Sequence, residues 1–139
     1  MGPYDDGSIR TARTSLDGLR LLAVEDHGIG RVLLQAMLAP FGVDATVVAD
    51  GEQARDAARK MVFDVVFVDL GLPDVAGEAL AAELRESSGC REAVFVAVTG
   101  RARPDSLPAV FDDWLEKPFS VGVLHHRLLT ATLPRAASA

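Results

Sequence analysis

"VFVDLGLPDVAG", residues 66–77, is the stretch on which the reading of this chain turns. The apolar run Val65, Val66, Phe67, Val68 ends on a carboxylate, Asp69; Gly71, Pro73 and Gly77 then break any regular element. A short, continuous apolar run reads as a strand buried on both faces. A charge at the end of such a strand is either a turn former or a group with a chemical task. The strands on either side of it decide between the two.

Working outward, strand and helix signals alternate. "LRLLAV" (19–24) is a first strand, and Ile29, Val32, Leu33, Ala36 and Met37 then recur at helical spacing until Pro40-Phe41-Gly42 closes the helix. "ATVV" (45–48) is a second strand, and Ala54, Ala57, Ala58 and Met61 mark a second helix. "DVVFV" (64–68) is the central strand; Ala76, Leu80 and Leu84 mark a third helix, ending at Ser87-Ser88-Gly89. "AVFVAV" (93–98) and the short "WLE" (114–116) are strands four and five; Val121, Leu124, Leu128 and Ala131 mark a last helix stopped by Pro134. This alternation predicts a parallel sheet covered on both faces, an α/β three-layer sandwich with right-handed crossovers. Ligands of such sheets bind beyond the carboxyl ends of the strands.

The 139 residues suffice for one domain with a proper core. Residues 1–17 are polar and without periodicity, and read as a flexible arm or linker; 18–134 form the expected domain and 135–139 a tail. The net charge of −6 disfavours a nucleic-acid backbone as direct partner. Cys90 is the only cysteine, so no intrachain disulfide forms and a reducing compartment fits. No apolar run approaches the ~20 residues that span a bilayer. These features lead to the expectation of a soluble cytoplasmic domain.

The strand ends carry the chemistry. Glu25 and Asp26 follow strand 1, Asp69 strand 3, Thr99 strand 4, and Lys117 strand 5. Three clustered carboxylates repel unless something positive sits among them. A hard dication such as Mg²⁺ takes one or two carboxylates together with waters and phosphate oxygens. Lys117 adds a second positive charge and Thr99 a hydrogen-bond donor. Together they fit a site in which a carboxylate attacks a phosphoryl group in line, and Asp69 is the expected nucleophile, held on a rigid strand. Taken singly, each residue has an ordinary explanation as a cap, a turn or a solvated side chain; it is their convergence on one sheet edge that points to a site.

These residues resemble the receiver domain of two-component response regulators. "LLAVED", "VFVDLGLPDVAG", "VAVTG" and "WLEKPF" occur in the family's order between about Leu19 and Leu133, with 43 residues from Asp26 to Asp69 and 30 from Asp69 to Thr99. The resemblance implies a flavodoxin-like sheet of order 2-1-3-4-5. It implies Asp69 as phosphoacceptor, receiving phosphoryl from a histidine kinase or histidine phosphotransfer protein in a His–Asp relay. Mg²⁺ would be held by Asp26, by Glu25 through water, by Asp69 and by the Gly71 carbonyl. Thr99 and Lys117 would contact the phosphoryl group, Thr99 and Trp114 would form the switch, and the bond to Pro118 would be cis. The only catalysis implied is of the protein's own phosphorylation and dephosphorylation.

The chain departs from the pattern in three places. Trp114, the only tryptophan, stands where Tyr or Phe is commoner; its indole is larger and its N–H prefers a partner. Thr99 to Lys117 spans 18 residues, about one helical turn fewer than usual, and contains Pro104 and Pro108. The fourth helix is therefore expected to be short or absent, with the output face usual in the family altered. In "VEDHGIGR" (24–31), His27 and Gly30 replace two asparagines of the form frequent in hybrid kinases. His27 reads as an exposed loop residue that can touch a metal, His125-His126 as surface, and Arg101 and Arg103 as a small basic loop.

With no output domain after the receiver, the sequence reads as a stand-alone receiver or the terminal receiver of a hybrid histidine kinase. Three rival readings fit less well. A haloacid-dehalogenase-type phosphatase wants a second acid two residues after the nucleophile, where Gly71 stands. A flavodoxin would not place "EDHG" (25–28) against a phosphate. A degenerate receiver serving as a phosphorylation-independent docking module should lack an acid, the acceptor or the lysine; all are present, and it stays as the alternative.

Overall fold

In the computed structural model, residues 15–72 and 75–132 are described. In chain order they form β1 (Arg20–Val24), α1 (Gly28–Leu38), a 3-10 turn (Ala39–Phe41), β2 (Asp44–Val48), α2 (Gly51–Lys60), β3 (Val65–Asp69), α3 (Gly77–Arg85), β4 (Val94–Thr99), β5 (Asp113–Glu116) and α4 (Val121–Ala131). All strand pairs are parallel and the order is β2-β1-β3-β4-β5, as the sequence leads one to expect. Most of the expected arm, and the tail with Pro134, lie outside the described residues. Among the described residues of the expected arm, Leu16 is buried.

Strand alternation divides the core in two. Leu22, Val24, Val66, Val68, Phe95 and Ala97 face α2 and α3, and pack with Ala54, Ala58, Leu80 and Leu84. Leu21, Ala23, Val65, Phe67, Val94 and Val96 face the opposite way, and pack with Leu38, Leu124 and Leu128 of α1 and α4. β3 and β4 are buried along their whole length, which explains why they read as unbroken apolar runs.

Local chemistry sets the element ends. Asp50 caps α2 by accepting the Gln53 N–H, and Ser120 caps α4 by accepting that of Val123. Gly42 closes the turn after α1 at φ 71°, and a Cβ there would collide with Asp17 Oδ1.

No helix separates β4 from β5. Pro104 and Pro108 break the 100–112 segment. Other contacts hold it: buried Phe111, with Leu107 and Val110, packs on the α2–α3 side of the core. Arg85 donates to the Val110 carbonyl (2.9 Å) and to Asp112 Oδ2 (2.7 Å). That same oxygen accepts the Phe95 N–H at 2.8 Å, and the guanidinium lies 4.5 Å from the Phe95 ring centroid.

Candidate functional site

The parallel sheet brings the ends of β1, β3, β4 and β5 to one edge, and with them Glu25, Asp26, Asp69, Thr99 and Lys117. Asp69 closes β3 in register with Val98. Glu25, Asp69 and Thr99 are the buried polar residues among those described, 6–8% exposed. Burial of polar side chains at a sheet edge calls for partners. Lys117 supplies them: its Nζ donates to Glu25 Oε1 at 2.9 Å and to Asp69 Oδ2 at 3.2 Å. The other Asp69 oxygen, Oδ1, accepts the Gly71 N–H at 2.8 Å.

The electrostatics follow from these contacts. Burial pushes the Glu25 carboxyl up; the His27 N–H and the Lys117 ammonium outweigh it and hold the group below its ordinary range. Burial also works against the Lys117 charge, but the carboxylates of Glu25 and Asp69 more than offset it and raise the ammonium. Three carboxylates thus face one ammonium. Asp26 Oδ1 is buried and accepts no hydrogen bond, although His27 Nδ1 stands 3.2 Å away. One donor atom from each of Glu25, Asp26, His27 and Asp69 falls within 4.8 Å of the others. An orphaned carboxylate oxygen inside an oxygen-rich cluster with excess negative charge fits a divalent cation.

Thr99 ends β4 with its Oγ1 accepting the Arg101 N–H at 3.2 Å. The Arg101 carbonyl in turn accepts Trp114 Nε1–H at 3.0 Å. Trp114 is buried in the α2–α3 side of the core, so the indole N–H has the partner that its burial requires. The Lys117–Pro118 bond is cis. Arg103 is tied to Asp113 at 2.9 Å and is not a free basic group. His125 stacks on Phe41 with ring centroids 4.4 Å apart.

Three positioning residues escaped the sequence reading. Arg31 Nη1 donates to the carbonyls of Glu25 (2.9 Å) and Asp26 (3.0 Å), fixing the backbone of the acid pair from one turn into α1. A Cβ at Gly30 would approach Glu25 Cδ to 3.0 Å. One at Gly77 would stand 2.8 Å from Leu70 Cα and 2.9 Å from the Asp69 carbonyl oxygen. The available signal for the last of these was Gly77 itself, the breaker after Asp69 at which α3 opens.

A family model described as the response regulator receiver domain matches residues 21–129. The virulence sensor protein BvgS of Bordetella pertussis is 33% identical over 86% of this chain and 10% of its own length. The transcriptional activator protein PfeR of Pseudomonas aeruginosa is 32% identical over 86% of this chain and 40% of its own length. The chain thus spans well under half of these relatives. Among solved structures, the receiver domain of sensor histidine kinase PA1611 from Pseudomonas aeruginosa superposes with a TM-score of 0.74 at 31% identity, over 83% of this chain and 98% of that one. That structure holds a magnesium ion coordinated in its active-site cleft. The chemotaxis response regulator CheY4 of Vibrio cholerae gives a TM-score of 0.76 at 27% identity, over 82% of this chain and 98% of that one.

Proposed function

Since the chain belongs to the response regulator receiver domain family, we propose that it accepts a phosphoryl group on Asp69 in a His–Asp relay and signals by the change that follows. The donor is a phosphohistidine on a histidine kinase or phosphotransfer protein in the cytoplasm. The observation that carries this reading is Lys117 Nζ bridging Glu25 and Asp69 across three strand ends, with Asp26 Oδ1 left unpartnered beside them.

In the transfer, an Asp69 carboxylate oxygen forms a bond to phosphorus as the nitrogen–phosphorus bond of the donor breaks. The bonding pair leaves with the imidazole, which is protonated from solvent. The burial of Asp69 on a strand end and the Gly71 N–H bond to Oδ1 hold the nucleophile in one orientation. Lys117 is within reach of the incoming phosphoryl oxygens, and its raised pKa keeps it charged. Thr99 Oγ1 accepts from Arg101 N–H, so its own hydroxyl proton remains available to a phosphoryl oxygen. Glu25, Asp26, Asp69 and the Gly71 carbonyl would hold Mg²⁺, which when bound neutralises phosphoryl charge. The chain Thr99–Arg101–Trp114 links the site to the core and is the route by which acceptance reaches the β4–β5 segment.

The test is intact mass after acetyl phosphate with and without Mg²⁺, with Trp114 fluorescence recorded in parallel. The expected result is an Mg²⁺-dependent phosphoryl adduct that Asp69→Asn abolishes, accompanied by a fluorescence change. An unmodified mass under all conditions sinks the proposal in favour of a phosphorylation-independent docking module. An adduct without fluorescence change leaves acceptance standing and removes Trp114 from the switch.

A further inference from the structure

Protein interiors leave few voids larger than a water molecule. On the α1 side of its sheet, this chain leaves a cavity of about 230 Å³ that reaches the strand-end carboxylates. Its walls are apolar: Ala23, Phe67 and Val98 from the sheet, Leu34 and Met37 from α1, and Phe119 from the segment before α4. Leu33 lines it as well and is 58% exposed, so the cavity is open to solvent along α1. At its polar end stand Glu25, Asp69 and Lys117. Lys117 Nζ gives two of its three N–H groups to those carboxylates, at 2.9 and 3.2 Å, and among the described residues the third has no acceptor. Phosphoryl acceptance as proposed above uses the polar end alone and leaves the apolar part without a task.

Apolar walls with one convergent polar group are the make-up of a small-molecule site. An apolar cavity of about 150 Å³ takes a benzene-sized guest, so by proportion this one takes about nine heavy atoms. Charge complementarity selects the head group. A carboxylate head would face Glu25 and Asp69, and an ammonium head would face Lys117. An uncharged oxygen accepts the spare Lys117 N–H and meets neither repulsion. We propose that the cavity binds a small uncharged amphiphile, with its apolar body against α1 and one acceptor oxygen on Lys117 Nζ. The N–H that it takes is the one open to an incoming phosphoryl oxygen, so the bound molecule competes with phosphoryl acceptance. That competition rests on the reading of Asp69 as phosphoacceptor; the binding itself does not.

The test titrates benzyl alcohol, and separately hexanol, into the full chain labelled at its methyl groups, with toluene as the control that lacks a head group. Expected are saturable shifts of the Leu33, Leu34, Met37 and Val98 methyl resonances, with benzyl alcohol bound about tenfold or more tightly than toluene. Lys117→Met should remove that preference. Leu34→Trp and Met37→Phe fill the cavity from α1, and each should weaken binding by about tenfold or more, with circular dichroism reporting on the fold. Saturating benzyl alcohol should slow adduct formation from acetyl phosphate and Mg²⁺ by about threefold or more, as a competitor for Lys117 must. No saturable shift with either alcohol overturns the site, as do shifts confined to Met61 and Val62, the exposed apolar pair before β3. Equal binding of toluene and benzyl alcohol overturns the Lys117 anchor, and adduct formation unchanged at saturation overturns the competition. A chain that forms no adduct even without alcohol fails as a phosphoacceptor, while the methyl shifts still decide the site.

Discussion

Lys117 shows how much one side chain decides at this site. It is the positive charge shared by Glu25 and Asp69, so Lys117→Ala leaves two buried carboxylates repelling each other. Two opposite effects are expected. Mg²⁺ binds more tightly, since a competing cation is gone, while phosphoryl acceptance falls by on the order of a hundredfold; Mg²⁺ titration and adduct formation read them separately. Glu25 adds a pH dependence. Its folded-state pKa lies below the ordinary 4.5, so its contribution to stability is present above that value and is lost as pH falls through the lowered one. Acid titration of Glu25→Gln, followed by circular dichroism, should show a shallower loss of stability below about pH 4.5 than wild type. Trp114 has two separable roles. Trp114→Phe keeps most of the ring and removes the bond to the Arg101 carbonyl, costing about 1 kcal/mol. Trp114→Ala opens a cavity and costs about 3–5 kcal/mol; urea melts distinguish the two.

At the level of elements, α1 leaves apolar side chains exposed and the β4–β5 crossover runs without a helix. The apolar spacing correctly marks α1, but Ile29, Val32 and Leu33 are 85%, 68% and 58% exposed. The side of α1 that packs is carried by Leu34, Met37 and Leu38. The exposed trio lies one turn beyond the acid pair, and an uncovered apolar face beside the proposed acceptor is a surface on which the proposed donor protein would seat. Ile29→Glu with Val32→Glu should slow transfer from a phosphohistidine donor at least about tenfold while leaving acetyl phosphate acceptance intact. In the crossover, a guanidinium and a carboxylate replace the helix. Arg85→Met removes the bonds to Val110 and Asp112 and is expected to cost about 1.5–3 kcal/mol, because both are charge-assisted.

Across the whole molecule, the doubly covered sheet is what makes the edge a site: two cores hold the strand ends in register while the polar residues gather beyond them. Cys90 reports on that packing. It is fully buried and burial pushes its thiol up, so labelling by a thiol reagent should track global unfolding and be negligible in the native protein at neutral pH. The sequence by itself determined the order of elements, the parallel sheet and the strand-end residues, because burial on both faces demands continuous apolar runs and prolines leave room for at most a short helix over 100–112. It also placed Asp69, Glu25, Asp26, Thr99 and Lys117 at one edge, since parallel strands share a carboxyl end. Only the tertiary structure decided which groups meet: that Lys117 bridges Glu25 and Asp69, that Arg31 pins the acid pair, that Trp114 is tied to Arg101 and that His27 faces the cluster. Helical and strand periods report which residues share a face, but hydrogen-bond partners depend on side-chain rotamers and on distances across 92 residues of chain, and neither is written in local spacing.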